Sequence, residues 1–534
     1  MKNIILLIVD TLRFDRLGSS GHRPAVTPNL DALATSGLNF PNFFSNGCVT
    51  SVAFPSLFTS TLPLDFGGYD NGIKHRPVSF PELLTENGYE TYGLVTGHPC
   101  SSHFGYNRGF NKFIDLIDLY QYFRAIYTAY LGDLVSRWNE TEGRDRSVLD
   151  EFAPKYRRML CDAIRYIHGL NDISAPDNGI ARDVQLNRIE RELTLLEGDP
   201  EFVWAKIVKF GNNYQFAFGE DELSDRLHLR LQRRSRFHDR LNKRIFLLSH
   251  RRAFEAPTVN NLFDNWVASD PNRPFFAFLH YFDLHEAKLL ISKLLTRPTP
   301  KRLCDFARAY GKIRRDRKPA QRGFLYDLGL ALVDENVGEL RRLLDRHNLT
   351  DDTTILITGD HGTEAGHPNR GVGSYLPRMF YDEHIHVPLI INGPDIQPGR
   401  DVSLASHLDI PPTVLGLAGI DAPPSFKGRD LMSASTPPTD VVWSENGGMG
   451  QCRIGEKPVF IGRRTIEHKS IATIEGNTPV ITELYDLSSD PDERTNLVGS
   501  PGVAGVQMEH LNEIKKRVVQ VYEAAGQASG SAIS

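Results

Sequence analysis

A mostly parallel α/β sheet with helices on both faces is the architecture the sequence predicts, and three patterns predict it. The chain opens on a short apolar run, residues 4–9, that stops abruptly at Asp10. Such a run suits a strand buried on both faces of a sheet. From residue 1 to about 118, strand-like segments alternate with helical ones, the pattern of βαβ units. The same alternation returns after about residue 270.

Taken in order, residues 4–9 form the first strand, 29–36 a helix, 81–87 a helix begun by Pro81, and 92–95 a strand. Later, 275–280 is a buried strand. Residues 324–347 form an amphipathic helix with Leu328, Leu332, Val337, Leu340 and Leu344 on one side. Residues 354–358 and 387–391 are rich in β-formers and add strands. Right-handed crossovers bring the strand C-terminal ends to one edge, where an open α/β sheet carries its site.

Between 119 and 268 aromatic and basic residues dominate and β runs are scarce, so a helical insertion is expected inside a main domain of 1–435. Residues 436–526 suit a small α+β subdomain, with strands at 441–444, 459–462 and 470–474 and a helix at 506–524. Residues 527–534 are small and polar, the composition of a frayed tail.

The 534 residues are 40% hydrophobic and 24% charged, ordinary globular usage, which excludes a disordered chain and a membrane bundle. A net charge of −5 exerts no general pull on nucleic acid. The five cysteines are odd in number and form no CxxC, which argues against a disulfide framework or structural zinc. The opening apolar run is too short for a signal peptide and lacks a small-residue cleavage site. A cytoplasmic location is the resulting expectation.

Chemistry-bearing residues fall at strand ends. Asp10 closes Ile-Val-Asp10-Thr11-Leu-Arg13, and Asp360 and His361 close Leu-Ile-Thr-Gly-Asp360-His361-Gly362. On a parallel sheet these ends bring two carboxylates and an imidazole together. Hard oxygens with one nitrogen suit one divalent cation, Ca²⁺, Mg²⁺ or Mn²⁺ in preference to Zn²⁺. Taken singly, an Asp after a strand is more often a turn former.

The combination resembles the sulfatase family. Asp10-Thr-Leu-Arg13-Phe-Asp15 with Thr27-Pro28-Asn29-Leu30-Asp31 is similar to its opening, and Thr50-Ser-Val-Ala-Phe54-Pro55-Ser56-Leu57-Phe58-Thr59 to its nucleophile helix. His280-Tyr-Phe-Asp283-Leu-His285, Gly359-Asp360-His361-Gly362, Tyr381-Asp382-Glu383 and Glu483-Leu-Tyr485-Asp486 match later landmarks in the same order. The resemblance implies an alkaline-phosphatase-like α/β/α sandwich and a hydrolase of phosphoric or sulfuric esters. It assigns metal binding to Asp10, Thr50, Asp360 and His361. Thr50, His285 and His367 become the catalytic residues. Thr11, which replaces a second acidic ligand, and Arg378, in place of a missing basic residue before Tyr381, become substrate contacts.

The nucleophile position departs from the family pattern. Sulfatases convert a cysteine or serine in Cys-x-Pro-Ser-Arg to formylglycine. Anchoring on Ser56-Leu57-Phe58-Thr59 puts Thr50 there without a gap, whereas Cys48 needs two inserted residues and lacks the proline and arginine. A threonine intermediate must be released by water attacking the transferred group, a route familiar for phosphoryl groups. Phosphate mono- or diesters are therefore favoured.

A conventional arylsulfatase-like hydrolase stays open, as do a phospho-group transferase to a glycan or lipid head group and a non-catalytic binding module. The expected partner is a small anionic ester or a sulfated or phosphorylated glycan, with oligomeric state undetermined. His280 and His384 are expected to be structural, and His386 non-catalytic. The basic stretch between Arg226 and Arg252 is either a solvated helical face or a contact for an anionic surface. Tyr120, Phe123, Tyr127 and Tyr130 have the spacing of a packed helix face.

Overall fold

The computed structural model describes residues 2–116, 131–169 apart from 133 and 142–144, 182–210, 256–285 apart from 272 and 273, 303–313 apart from 305, 309 and 312, 323–364, 380–448, 452 and 454–531. The strands of its first part are β1 (Asn3–Val9), β2 (Leu38–Phe40), β3 (Phe43–Phe44), β4 (Glu90–Val95), β5 (Lys112–Asp115), β6 (Phe275–Tyr281) and β7 (Thr353–Gly359). They are followed by β8 (Leu389–Asn392), β9 (Gly399–Arg400), β10 (Ala405–Ser406), β11 (Val442–Asn446), β12 (Val459–Arg464), β13 (His468–Glu475) and β14 (Thr478–Asp486). The first three α-helices are α1 (Pro28–Ser36), α2 (Thr50–Thr59) and α3 (Phe80–Glu86).

Eight strands form the central sheet in the order β5-β4-β6-β1-β7-β8-β2-β9. β5, β4, β6, β1 and β7 run parallel. β8 is antiparallel to both β7 and β2. β1 sits between β6 and β7, and all seven of its residues are buried, which explains the uninterrupted apolar run. Side chains alternate across a strand, so β1 feeds two cores. Ile5, Leu7 and Val9 pack with α1 and the helices Ala256–Ala268 and Phe324–Arg346. Ile4, Leu6 and Ile8 pack with α2, α3 and the helix Ile410–Ala418. The result is an α/β/α sandwich.

Local signals set the helix ends. Pro stands in the first turn of α1, where its missing N–H has no partner to lose. Ser79 and Glu82 form a reciprocal capping box on α3. Ser60 stops α2 at φ 50°.

Two boundaries differ from the sequence expectation. The helix Ala256–Ala268 lies within the stretch assigned to the insertion, yet Phe263 and Trp266 pack against Tyr92 of β4 in the main core. The described helices Ser147–Gly169, Arg182–Gly198 and Pro200–Phe210 have a separate core around Phe152, Tyr156 and Trp204. The final helix, Ala504–Ser531, continues through residues 527–531, expected to be frayed.

β11–β14 make an antiparallel sheet covered by this final helix through Ile514, Val518 and Val521. β14 escaped the sequence analysis because Pro479 breaks the β signal and the polar run Thr482-Glu483 interrupts its apolar positions. It is the edge strand of the sheet, where proline is tolerated. Among the described residues, no helix is long and apolar enough to cross a membrane.

Asp283 Oδ2 accepts the N–H of Ala256 at 2.8 Å and so caps a helix from a distant part of the chain. Asp283→Ala should cost about 1 kcal/mol, the usual worth of such a cap. Thermal unfolding would register a fall of a few degrees or less, and Asp283→Asn should recover much of it.

Candidate active site and metal centre

Strand register builds the site. Val9 pairs with Tyr281 of β6 and with Gly359 of β7, so Asp10 and Asp360 leave the sheet at the same level. His280 pairs with Ile8, two residues before Asp10. Strand alternation therefore places His280 on the same face as Asp10 and Asp360, the face that carries α2. Ligand-capable atoms of Asp10, His280 and Asp360 all lie within 4.8 Å of one another, and all three residues are fully buried.

Each carboxylate is half satisfied. Asp360 Oδ1 accepts N–H groups of Thr11 at 3.1 Å and His361 at 2.8 Å. Asp10 Oδ2 accepts the Thr50 hydroxyl at 3.2 Å. Asp10 Oδ1, Asp360 Oδ2 and His280 Nε2 are buried with no hydrogen bond to any described residue. A cluster of orphaned anionic oxygens and an imidazole nitrogen, out of water, fits a divalent cation. With no cation counted, burial and then the Asp360 carboxylate push the Asp10 pKa up to about 7.

His361 stands beside this group. Its Nε2 is 3.3 Å from Thr50 Oγ1, 3.6 Å from Asp360 Oδ2 and 3.9 Å from Asp10 Oδ1. Its Nδ1 lies 2.6 Å from the Gly362 carbonyl and must donate to it, which leaves Nε2 as an acceptor. His280 Nδ1 meets Thr96 Oγ1 at 3.0 Å. Burial pushes the His280 pKa down to about 4, so the ring is neutral near pH 7.

Thr50 opens α2 and is 7% exposed. Cys48 lies in a separate apolar cluster with Phe44, Phe380 and Ile385, and its sulfur accepts Asn446 Nδ2 at 3.3 Å. Burial pushes the Cys48 pKa up to about 12, which removes the thiolate as a nucleophile near neutrality.

Thr11 is buried at φ 62°, a strained conformation for a β-branched residue. Its N–H serves Asp360 and its carbonyl accepts the Tyr326 hydroxyl at 2.8 Å. His285 follows β6 half-buried, stacked on Phe282 at 4.6 Å, and its charge is among those that lower the Asp10 pKa. His367, Arg378, the stretch 226–252 and the aromatics Tyr120 to Tyr130 lie outside the described residues.

His280, expected to be structural, is instead part of the central group. Its signal was a lone imidazole in the apolar strand Phe-Phe-Ala-Phe-Leu-His-Tyr, meaningful only once register is known. Arg13 also went without a role. It is buried, holds Asp15 through Nε at 2.8 Å and Nη2 at 2.7 Å, and donates Nη1 to the Thr363 carbonyl at 2.8 Å, bracing the loop after His361. His384 is buried and offers its carbonyl to Gly362 N–H at 2.7 Å, while His386 stacks on Phe14 and Phe44 and contacts the Pro41 carbonyl at 2.7 Å.

The α/β/α sandwich recurs in solved structures. Phosphonate monoester hydrolase of Agrobacterium radiobacter superposes with a TM-score of 0.56 at 16% identity, covering 98% of this chain and 96% of that one. A structure solved with its substrate D-glucosamine-2-N,6-O-disulfate gives a TM-score of 0.53 at 18% identity, covering 98% of each chain.

The chain belongs to the sulfatase family, whose model matches residues 2–156 and 211–420. A model described as N-sulphoglucosamine sulphohydrolase, C-terminal, matches residues 372–521. Arylsulfatase K of Bos taurus is 34% identical over 190 residues, and that match spans only 33% of either chain.

The raised Asp10 pKa has a pH consequence. Its folded value, about 7, exceeds the unfolded carboxylate value, so the folded state binds the proton more tightly. The stability this contributes to metal-free protein is complete below about pH 4 and is lost as pH rises through 7. The melting temperature of metal-free protein should fall across that window, while divalent-metal affinity rises as the proton is displaced. Asp360→Asn should flatten the fall and remove metal binding, and calorimetry showing unchanged stoichiometry would contradict the ligand assignment.

Proposed function

We propose that the protein is a metal-dependent hydrolase that cleaves phosphate mono- or diesters through a covalent intermediate on Thr50. The observation that carries this reading is the placement of Thr50 Oγ1, 3.2 Å from Asp10 Oδ2 and 3.3 Å from His361 Nε2, at the start of α2. Cys48, the alternative nucleophile, faces an apolar cluster.

A divalent cation at Asp10, His280 and Asp360 would favour the Thr50 alkoxide and offset charge on the transferred group. The rest is chemistry of side chains. In place of the metal-binding role implied by the resemblance, His361 Nε2, held as an acceptor by its Nδ1 contact, takes the Thr50 proton once the hydroxyl turns from Asp10 to it. The alkoxide attacks phosphorus and the ester oxygen leaves, with His285 positioned after β6 to supply its proton. Water then attacks phosphorus, giving a proton to His285, while the bond from phosphorus to Thr50 Oγ1 breaks and His361 returns its proton to that oxygen.

Threonine has no aldehyde to re-form, so release depends on attack at the transferred group itself. That requirement supports phosphorus over sulfur, and the name of the phosphonate monoester hydrolase neighbour is compatible with it. Sulfuric ester hydrolysis is the second reading, favoured by the names of relatives such as arylsulfatase K and the choline-sulfatase of Rhizobium meliloti. A polar anionic glycan as the group carried by the ester is supported by the disulfated sugar bound to a neighbour.

Thr50→Ala should lower turnover by on the order of 10³-fold or more, because only binding and electrostatic contributions survive. Thr50→Ser should retain measurable turnover, and Cys48→Ala most of it. Kinetics on an array of aryl sulfate, phosphate monoester, phosphate diester and phosphonate ester, with metal restored, would rank the substrates. Intact-mass spectrometry locates the nucleophile. A phosphoryl adduct mapped to Thr50 is expected, whereas formylglycine at position 48 would restore the sulfuric ester reading.

A further inference from the structure

One short turn couples the candidate metal centre to the C-terminal sheet. The turn Asp382–Ile385 holds the segment Asp360-His361-Gly362 from two sides. Gly362 N–H donates to the His384 carbonyl at 2.7 Å. Ser45 N–H donates to the Ile385 carbonyl at 2.7 Å, and Ser45 Oγ lies 2.6 Å from the Asp360 carbonyl. The approach is close enough that a Cβ on Gly362 would come within 2.1 Å of the Glu383 carbonyl oxygen. The Gly362 carbonyl is the acceptor that fixes the His361 tautomer.

What holds the turn comes from far along the chain. Asp382 Oδ1 receives Lys469 Nζ at 2.5 Å and Arg464 Nη1 at 2.6 Å. Asp382 N–H donates to Glu493 Oε2 at 2.8 Å. Lys469 also donates to the Phe380 carbonyl at 2.8 Å and pairs with Glu493 Oε1. Lys469 is 1% exposed and Glu493 4%. Ion pairs buried this deeply contribute little net stability over an apolar replacement, so their effect is to fix geometry. The acceptors around Lys469 all belong to the turn's approach or its clamp, and the turn contacts Gly362, the residue after His361.

We propose that Lys469 is a positioning residue for the metal centre: from β13 it pins the Asp382 turn, which in turn sets the His361 imidazole and the Asp360 carbonyl. This inference rests on the metal-centre reading of the site but not on the identity of the ester or the nucleophile. A residue that acts through the ligands' supports should move metal affinity as well as rate.

The test is Mn²⁺ titration calorimetry on metal-stripped full-length protein, with kinetics on the best substrate of the array and thermal unfolding run in parallel. Lys469→Met should weaken Mn²⁺ binding about tenfold or more and lower kcat with KM little changed, the scale set by loss of a ligand's support. Lys469→Arg, which keeps the charge, should recover most of both. Lys206→Met removes another fully buried lysine, one paired with Glu192 inside the helical insertion, and should lower the melting temperature without changing the Mn²⁺ dissociation constant. Equal loss of affinity in Lys206→Met and Lys469→Met would show a general stability effect and overturn the proposal. So would a folded Lys469→Met with wild-type affinity. Should Lys469→Met fail to fold, Glu493→Gln decides by the same readout, and unchanged affinity there overturns the idea. Wild-type protein that binds Mn²⁺ but turns over no ester would sink the hydrolase reading and leave the calorimetric comparison to judge Lys469. Wild-type protein that binds no divalent cation would remove both.

Discussion

The side-by-side burial of Asp10 and Asp360 is the constraint on which the rest of the site depends. Ligand-capable oxygens of the two lie within 4.8 Å of one another, close enough for like charges to repel by a few kcal/mol at the effective dielectric of a protein. Water cannot relieve them, because both side chains are fully buried. The protein meets part of the cost with donors: Thr11 N–H and His361 N–H on one carboxylate, the Thr50 hydroxyl on the other. Thr11 reaches Asp360 only by adopting φ 62°, so backbone strain of about 1–3 kcal/mol is accepted to deliver one N–H. The carbonyls on either side are tied as well, Gly359 to His407 Nε2 at 2.8 Å and Asp360 to Ser45 Oγ at 2.6 Å. A structure that spends so many contacts on two acidic groups is organised for a positive charge between them.

Much of this frame was legible in the sequence, because its signals are local. The run of residues 4–9, Pro28 opening α1, the Ser79–Glu82 capping box and the amphipathic helix ending at Arg346 declare themselves within a few residues. Asp10, Asp360 and His361 stood out as residues at strand ends, but Thr50 could be joined to them only through the family resemblance. What remained hidden depends on tertiary register. His280 is the last residue but one of β6, and nothing in Phe-Ala-Phe-Leu-His-Tyr says whether it faces Asp10 or the opposite layer. Only the pairing of His280 with Ile8 settles that. The helix Ala256–Ala268 carries no Lys or Arg, unlike the basic stretch before it, and its place under β4 is set by packing of Trp266 on Tyr92 and by the Asp283 cap.

The C-terminal sheet is joined to the main domain by buried charge to an unusual extent. Besides the Lys469 cluster, Arg517 of the final helix donates to Glu445 Oε1 at 2.6 Å and to Asp65 Oδ1 at 2.8 Å. Glu445 Oε2 in turn accepts Leu64 N–H at 3.0 Å, a few residues past the end of α2. Apolar contacts from Val52 and Leu64 into the same interface supply most of the attraction. The ion pairs add direction, because a guanidinium fork accepts its carboxylates in few orientations. α2, which carries Thr50, is therefore fixed at its far end by the C-terminal unit, and the Asp360 loop is fixed through Asp382.

The choice between Thr50 and Cys48 turns on the same rigidity. The two residues are neighbours in sequence but not in environment: the first turn of α2 aims Thr50 at Asp10, while the extended chain before it sends Cys48 toward Phe380 and Ile385. Exchanging them would require rotating the start of α2. Val52 packs into the C-terminal interface, and Phe54 sets its ring edge-on to His280 at 5.6 Å, so such a rotation would pull a core residue out of each interface. Each displaced side chain carries a transfer cost of about 1.5–3 kcal/mol. Packing thus holds the Thr50 hydroxyl at the acidic pair and keeps the Cys48 thiol away from it.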